Sequence, residues 1–220
     1  MHPVLRLYED VLSSAENVVF TLPPLPRFIF VVHGSATVDG KAVGEGEGWQ
    51  GEGAMTVKPS AEGVTCWRFE LAAGNRGSTT ANAPGMITHE KLTAFLETLP
   101  KGELIMRADS VGFPPGGCAY KHTHQGPGIR CLIEGGIRID THGRSTSYGP
   151  GGAWYEAGPD PVFAQAASDK ASRFIRVMIL PAALLGKSSI QYVNEEDKAK
   201  PKSQQYKIYA DAPITFTAKK

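Results

Sequence analysis

Two histidines that are two positions apart are the most informative chemical feature of this 220-residue chain. His122 and His124 end the segment Gly116–His124, which reads GGCAYKHTH. On a β-strand, residues two apart share a face, so both imidazoles point the same way. Two imidazoles in this arrangement can reach one metal ion at about 2.0–2.1 Å. The pair predicts a metal site, and a polar lining without metal is the alternative.

Other sequence patterns exclude several classes of function. There is no nucleophile elbow, phosphate-binding glycine loop or dinucleotide fingerprint. The three cysteines, Cys66, Cys118 and Cys131, are widely spaced and form no CxxC pair, which disfavours a disulfide framework or a thiolate zinc site. A net charge of +1 gives no reason to expect a nucleic-acid or membrane partner. Neither a secretory signal nor a long apolar run is present, so we expect a cytoplasmic protein.

The elements that must position the histidines are short β-strands. The 25 glycines and 16 prolines are scattered between short runs of β-branched and aromatic residues, a pattern typical of strands joined by tight turns. Asp39-Gly40 is a favoured hairpin turn. The predicted strands are Phe28–Val32, Ala36–Val38, Met55–Val57 and Val64–Phe69, followed by Leu104–Arg107, Ile129–Ile133, Ile137–Asp140, Ala153–Tyr155 and Arg173–Leu180.

One segment between the two groups of strands has helical spacing. Leu92, Phe95, Leu96 and Leu99 recur at intervals of three and four residues. A helix start near Thr88 or His89 and an end at Pro100 would complete it. We therefore predict a short connecting helix.

The two groups of strands are similar to each other. Phe30–Gly34 parallels Cys131–Gly135, each is followed by a glycine-rich turn, and each group ends in an apolar strand. Chance similarity between two β-hairpins is the alternative. The repeat predicts two domains, residues 1–85 and 86–182, with a Gly/Asn/Thr-rich linker over 72–85. Residues 183–220 form a tail that we expect to pack on one domain or on a partner subunit.

These motifs resemble those of the cupin superfamily. Gly117, His122, His124 and Gly135 match its first motif, and Gly152, Trp154, Tyr155 and Gly158 match its second. The resemblance covers about residues 103–182, with 25–72 as a degenerate copy. It implies an all-β fold of two tandem cupin (jelly-roll) barrels, a bicupin. It also implies one divalent metal, such as Fe, Mn, Ni or Zn, and a homodimer.

The sequence departs from the cupin pattern at two ligand positions. The expected glutamate falls near Gly128, and the expected last histidine falls near Pro161 or Val162. Glu156, on the strand of the second motif, is the best candidate for a third ligand and a catalytic group, and a solvated carboxylate is the alternative. Tyr120 and Gln125 are weaker candidates for metal or substrate contacts.

The resemblance also directs attention to Arg130. If the position of the missing glutamate faces inward, Arg130, two residues later, faces inward too. A guanidinium there needs an anionic partner, either Glu156 or a substrate carboxylate. The alternative is an outward Arg130 that faces solvent or pairs with Asp140 or Glu134. Trp154 is a candidate pocket wall, or otherwise a core residue.

Together these features predict a metal-binding bicupin that acts as an oxygenase, lyase or isomerase on a small organic acid. His122, His124 and Glu156 would hold the metal, and Arg130 would orient the substrate carboxylate. The alternative is a non-catalytic cupin that binds a small ligand. The fold does not choose among these chemistries.

Overall fold

The computed structural model describes residues 2–13, 19–74 and 85–216, which form two compact units. The first comprises Met1–Glu97 and Ile214–Lys220, and the second comprises Thr98–Pro213. The predicted boundary at residue 85 falls before a strand that pairs within the first unit. Most of the predicted linker, residues 75–84, lies outside the described residues.

The first unit is built on one antiparallel seven-stranded sheet. Its two long strands pair with each other and carry most of the apolar core on one face. The Asp39-Gly40 turn has positive φ at both residues, 45° and 78°, which confirms the predicted hairpin. The strands are β1 (Pro3–Leu12), β2 (Phe20–Leu22), β3 (Arg27–Val38), β4 (Lys41–Gly44), β5 (Gly48–Gly51), β6 (Met55–Ala73) and β7 (Met86–Phe95).

The second unit consists of two five-stranded antiparallel sheets. One has the order β13-β10-β15-β8-β17, and the other has the order β12-β11-β14-β9-β16. An apolar core drawn from both sheets fills the unit. The elements are β8 (Leu104–Phe113), β9 (Cys118–His124), β10 (Gly128–Glu134), β11 (Ile137–Thr141), β12 (Arg144–Tyr148), β13 (Ala153–Glu156), β14 (Val162–Ala166), β15 (Ser172–Pro181), β16 (Ile190–Tyr192), α1 (Glu195–Ala199) and β17 (Gln205–Ile214).

Strand order repeats between the two units. In the first unit, β5, β3, β6, β1 and β7 are neighbours in that order, as β13, β10, β15, β8 and β17 are in the second. Val31 pairs with Cys66 in the first unit, and Leu132 pairs with Phe174 in the second. The repeat in the sequence therefore corresponds to a repeat in topology.

The predicted connecting helix is wrong, because β7 covers residues 86–95, pairs with β1, and is followed by irregular backbone up to Pro100. Leu92, Ala94 and Leu96 are half-buried or buried, whereas Phe95 is exposed, which is the alternation of a strand. The spacing of these apolar residues fits either a helix or a strand. The strand forms because it can pair with the edge of β1. In the described part of the chain, no helix is long and apolar enough to cross a bilayer.

Residues 183–213 of the predicted tail belong to the second unit. β16 pairs with β9 at the edge of one sheet, and β17 lies beside β8 at the edge of the other. β17 is one continuous strand over Gln205–Ile214. The short helix α1 lies between the two edge strands in sequence. The tail therefore extends both sheets of this unit.

Candidate metal centre

A β-bulge in β9 sets the direction of the two histidines. Val162 of β14 pairs with His122, and Ala164 pairs with Ala119, so two residues of β9 lie opposite Phe163 alone. Ala119, His122 and His124 all line one interior cavity, and both histidines are 5% exposed. Residues 119 and 122 are three positions apart and would lie on opposite faces of a regular strand. The bulge places them on the same face.

The third candidate ligand comes from the other sheet. Glu156 ends β13 and is 8% exposed. Its Oε1 accepts a hydrogen bond of 2.9 Å from Nε1 of Trp154, which lies two residues earlier on the same face. Trp154 is itself held by stacking on Tyr148 and by an edge contact with Phe174. Trp154 therefore lines the cavity and also orients the Glu156 carboxylate.

The donor atoms of His122, His124 and Glu156 all lie within 4.8 Å of one another. Two ligands of one ion are at most about 4.2 Å apart when each bond is about 2.1 Å, so shifts of some tenths of an ångström would bring all three into contact with an ion. Glu156 Oε2 is buried, and it forms an ion pair with Arg130 Nη2 at 2.7 Å. The arrangement fits a two-histidine, one-carboxylate metal site.

The histidine Nδ1 atoms face protein oxygens. His122 Nδ1 lies 2.7 Å from the carbonyl oxygen of Tyr120, and His124 Nδ1 lies 3.4 Å from Ser189 Oγ. A carbonyl only accepts, so Nδ1 of His122 carries the proton and Nε2 keeps its lone pair. Burial lowers the pKa of both rings, and Arg176 and Arg130 lower that of His124 further. Neutral imidazoles are the form that binds metal.

Arg130 points into the same cavity and pairs with Glu156. Its Nη2 lies 2.7 Å from Glu156 Oε2, and its side chain is 1% exposed. Burial lowers the pKa of Arg130 to about 10, so the guanidinium stays charged at neutral pH. The structure thus places Arg130 inward, in contact with Glu156 and not with Asp140 or Glu134.

Gly128 explains how the guanidinium fits. Arg130 Nη1 donates a 2.8 Å hydrogen bond to the Gly128 carbonyl. A Cβ at Gly128 would lie 2.5 Å from Val177 O and 3.1 Å from that Nη1. No glutamate fits at 128 with this backbone, and the carboxylate comes instead from Glu156, the direct cross-strand partner of Gly128.

Two other predicted site residues lie away from the cavity. Gln125 is exposed, just after the end of β9. The bulge removes Tyr120 from the face of His122, and its ring instead lies 5.0 Å from Lys200 Nζ and 5.2 Å from Lys202 Nζ. Neither side chain lines the cavity. They are therefore poorly placed to contact a metal ion there.

Sequence reasoning missed the second arginine of the site. Arg176 of β15 lines the cavity, and its Nε and Nη2 bind Asp109 at 2.9 and 2.7 Å. The sequence did contain a sign of this arginine, because Arg176 interrupts the apolar run Phe174–Leu180. A charged residue in a buried strand is almost always paired with another group. The tail residues Ile190, Gln204 and Tyr206 also line the cavity. Their contribution depends on how the tail folds back.

The equivalent position in the first unit carries no such ligands. By strand pairing, β2 takes the place of β9, since β2 pairs with Met55–Val57 at the start of β6 and β9 pairs with β14, the strand before β15. β2 reads Phe20-Thr21-Leu22, and Phe20 and Leu22 are packed in the apolar core. Among the described residues, the group of His122, His124 and Glu156 is the one set of three candidate ligands.

The chain is nearly all β, with antiparallel sheets of the jelly-roll type that the cupin resemblance implied. The predicted all-β fold class is therefore confirmed. No protein-family model matches the chain, and no curated protein matches it. Solved structures do match.

One such match is an oxalate decarboxylase from a study of substrate binding mode and a reaction specificity switch. It has a TM-score of 0.64 and 13% identity over 91% of this chain and 73% of that chain. A Bacillus subtilis oxalate decarboxylase from a study of its Mn(II) centres has a TM-score of 0.61 and 12% identity, over 91% and 73%. AerE from Microcystis aeruginosa has a TM-score of 0.58 and 13% identity, over 82% and 89%. At these identities the similarity establishes the fold.

Proposed function

We propose that the second unit binds one divalent metal ion and that the protein is a metal-dependent enzyme acting on a small organic acid. The observation that carries the proposal is the convergence of His122, His124 and Glu156 donor atoms within 4.8 Å in a buried cavity. Two neutral imidazoles and one carboxylate are a ligand set for Fe, Mn, Ni or Zn. Arg130 and Trp154 would position the carboxylate of Glu156.

Each residue has a distinct part in this proposal. A bound divalent ion would supply Lewis-acid or oxygen-activating chemistry. Trp154 fixes Oε1 of Glu156, and Oε2 lies 2.7 Å from Arg130 Nη2 and 3.8 Å from His124 Nε2. Arg130 Nη2 pairs with Glu156 Oε2 at 2.7 Å and holds this carboxylate in place. The apolar walls exclude bulk water from the cavity.

The structural neighbours are consistent with this proposal. Oxalate decarboxylase acts, by its name, on a small organic acid, and one of the matching structures comes from a study of its Mn(II) centres. A decarboxylase is a lyase, one of the three reaction types that the sequence suggested. We infer that a lyase or oxygenase acting on a carboxylic acid is the chemistry to test first.

Metal analysis of protein purified without an affinity tag tests the proposal. The protein would be dialysed against Mn²⁺, Fe²⁺, Ni²⁺ or Zn²⁺ in turn, and bound metal would be measured by elemental analysis. We expect one of these ions to remain at close to one equivalent, and His122→Asn to remove it. The matched control is His142→Asn, which alters an exposed histidine in a hairpin turn.

The control also separates metal loss from unfolding. Asn tolerates the positive φ of His142, so this variant should fold and keep its metal. Circular dichroism and thermal unfolding would show whether His122→Asn is folded. A folded wild-type protein that retains none of the four ions would overturn the proposal.

A binding module without metal is the second candidate function. It is favoured by the Arg130–Glu156 ion pair, which already neutralises both charges. In that case an acid ligand would bind equally well before and after chelator treatment. Calorimetric titration of both forms with the same acid would separate the two functions.

A further inference from the structure

The cavity that holds the candidate ligands is too small for an organic acid. Its volume is about 20 Å³, whereas one water-sized sphere takes about 10–15 Å³. This volume has room for an ion or one water molecule. If an acid reacts at this centre, most of its atoms must lie elsewhere.

A larger cleft adjoins this cavity in the same unit. It measures about 310 Å³, which reaches the size of small-molecule sites. Arg176, Ile190 and Tyr206 line both spaces, so these three side chains form the wall between them. The remaining lining residues of the outer cleft are Arg107, Asp109, Gly186, Lys187, Ser188, Ser189 and Ile208.

We propose that the outer cleft is the binding site for the body of the acid, and that the ligand is a monocarboxylic acid with an apolar or aromatic body. Its carboxylate contacts Arg176 at the wall, and its body lies against Tyr206, Ile208 and Ile190. Binding of the acid in the cleft does not depend on the proposed function. The further claim that this acid is the substrate of the metal centre does depend on it.

The charges of the cleft suit an anion. Asp109 occupies Nε and Nη2 of Arg176, which leaves Nη1 for a ligand oxygen. Arg107 is neutralised by Asp211, its partner at 2.8 Å. Lys187 therefore adds one positive charge to the cleft that neither aspartate offsets. A carboxylate entering from solvent would be attracted to this wall.

The apolar side of the cleft is exposed to solvent. Tyr206 and Ile208 lie two residues apart on β17, share a face, and are 52% and 59% exposed. The Tyr206 ring lies 5.9 Å from Arg176 Cζ, so aromatic surface and positive charge are adjacent. Adjacent exposed apolar side chains with a rim of polar groups are a feature of ligand-binding grooves. The combination fits an acid with an apolar body better than oxalate or acetate.

Calorimetric titration with three probes tests the inference. 4-Phenylbutyrate carries both features, acetate carries only the charge, and 4-phenyl-1-butanol carries only the body. We expect 4-phenylbutyrate to bind at least about tenfold more tightly than either of the others. The reason is that burial of its phenyl ring and contact of its carboxylate with Arg176 both contribute to its binding free energy. Equal affinities for 4-phenylbutyrate and acetate would overturn the inference.

A pair of variants locates the binding. Ile208→Ser should weaken 4-phenylbutyrate roughly fivefold or more and leave the affinity for acetate unchanged. Val193→Ser is the matched control, since Val193 is 46% exposed and does not line the cleft. Both positions are exposed, so both variants should fold. An equal loss in both variants, or a loss in Val193→Ser alone, would place the ligand elsewhere and overturn the inference.

The same titrations distinguish this inference from the metal proposal. They would be run on metal-loaded and chelator-treated protein, with metal content measured in parallel. Selective binding of 4-phenylbutyrate to metal-free protein, lost in Ile208→Ser, would support the cleft even if no metal binds. A bound metal with no selectivity among the three probes would leave the metal centre standing and remove the cleft.

Discussion

At the scale of single residues, each candidate metal ligand is oriented by a contact with a neighbouring group of the protein. Trp154 donates to Glu156, and the Tyr120 carbonyl and Ser189 hydroxyl lie against the Nδ1 atoms of the two histidines. Such contacts fix the orientation of ligands before a metal arrives. Each of the three candidate ligands therefore has a second contact that orients it.

Removal of the indole hydrogen bond should weaken the site without unfolding the protein. We expect Trp154→Phe to lower metal affinity about 10- to 100-fold, because Glu156 loses the donor that orients it. Competition with a chelator of known affinity measures the change. The matched control is Trp67→Phe, which removes a comparable 3.0 Å indole bond to Glu9 in the first unit. Equal affinity of wild type and Trp154→Phe would contradict the positioning role.

The buried histidines should make the metal-free protein sensitive to mild acid. Burial lowers the pKa of His122 and His124 in the folded state, whereas both titrate near 6.5 when unfolded. The unfolded state thus takes up protons first, and stability falls as pH drops below about 6.5, by up to about 1.4 kcal/mol per pH unit for each ring.

Denaturant unfolding of chelator-treated protein between pH 7.5 and 5.5 measures this effect. A double variant with Asn at both positions should show a shallower decline, and His142→Asn should follow the wild type. Unchanged stability over this range would show that the rings titrate normally.

At the scale of elements, β17 and the loop before β16 depend on one ion pair. Asp211 of β17 accepts from Arg107 Nε and Nη2 and from the Gly186 amide. Arg107 also donates to the Leu184 and Lys187 carbonyls. This cluster joins β8, β17 and the loop that borders the outer cleft.

Loss of Asp211 should therefore be costly. We expect Asp211→Asn to destabilise the protein by about 3 kcal/mol, because it leaves the charge of Arg107 without its counterion in a site where both side chains are largely buried. Urea unfolding gives the difference. Asp160→Asn is the control, since its contact with His142 is exposed and should be worth less than about 0.5 kcal/mol. Similar losses in both variants would mean that the pair is unimportant.

At the scale of the whole molecule, the two units share a strand order but differ in their interior residues. The first unit buries Arg27, Arg68, Asp10 and Glu70 in contacts of 2.6–2.7 Å, and these charges satisfy one another. Arg68 and Arg176 lie at matching places in the two strand orders. The second unit alone combines such an arginine with histidines among the described residues.

This difference predicts the metal stoichiometry. We expect close to one metal ion per chain and not two, because β2 offers Phe20 and Leu22 where β9 offers histidines. The ratio of metal to protein, with protein measured by amino-acid analysis, checks this value. A ratio near two, of which half survives His122→Asn, would reveal a site in the first unit.

The sequence by itself determined the strands, the repeat and the alternation that places His122 and His124 on one face, because these are local properties of backbone periodicity. It also made Glu156 a candidate, since the residue follows Trp154 at strand spacing. The helix expected around Leu92 failed because a short apolar spacing fits both periods, and only the edge of β1 selected the strand.

Only the tertiary structure decided how these residues meet. The bulge that removes Tyr120 from the cavity depends on pairing with β14, and the replacement of a carboxylate at Gly128 by Glu156 depends on pairing between β10 and β13. Arg176 and Tyr206 reach the site from strands far apart in sequence. Contacts of this kind arise from packing between elements, which local patterns of residues do not encode.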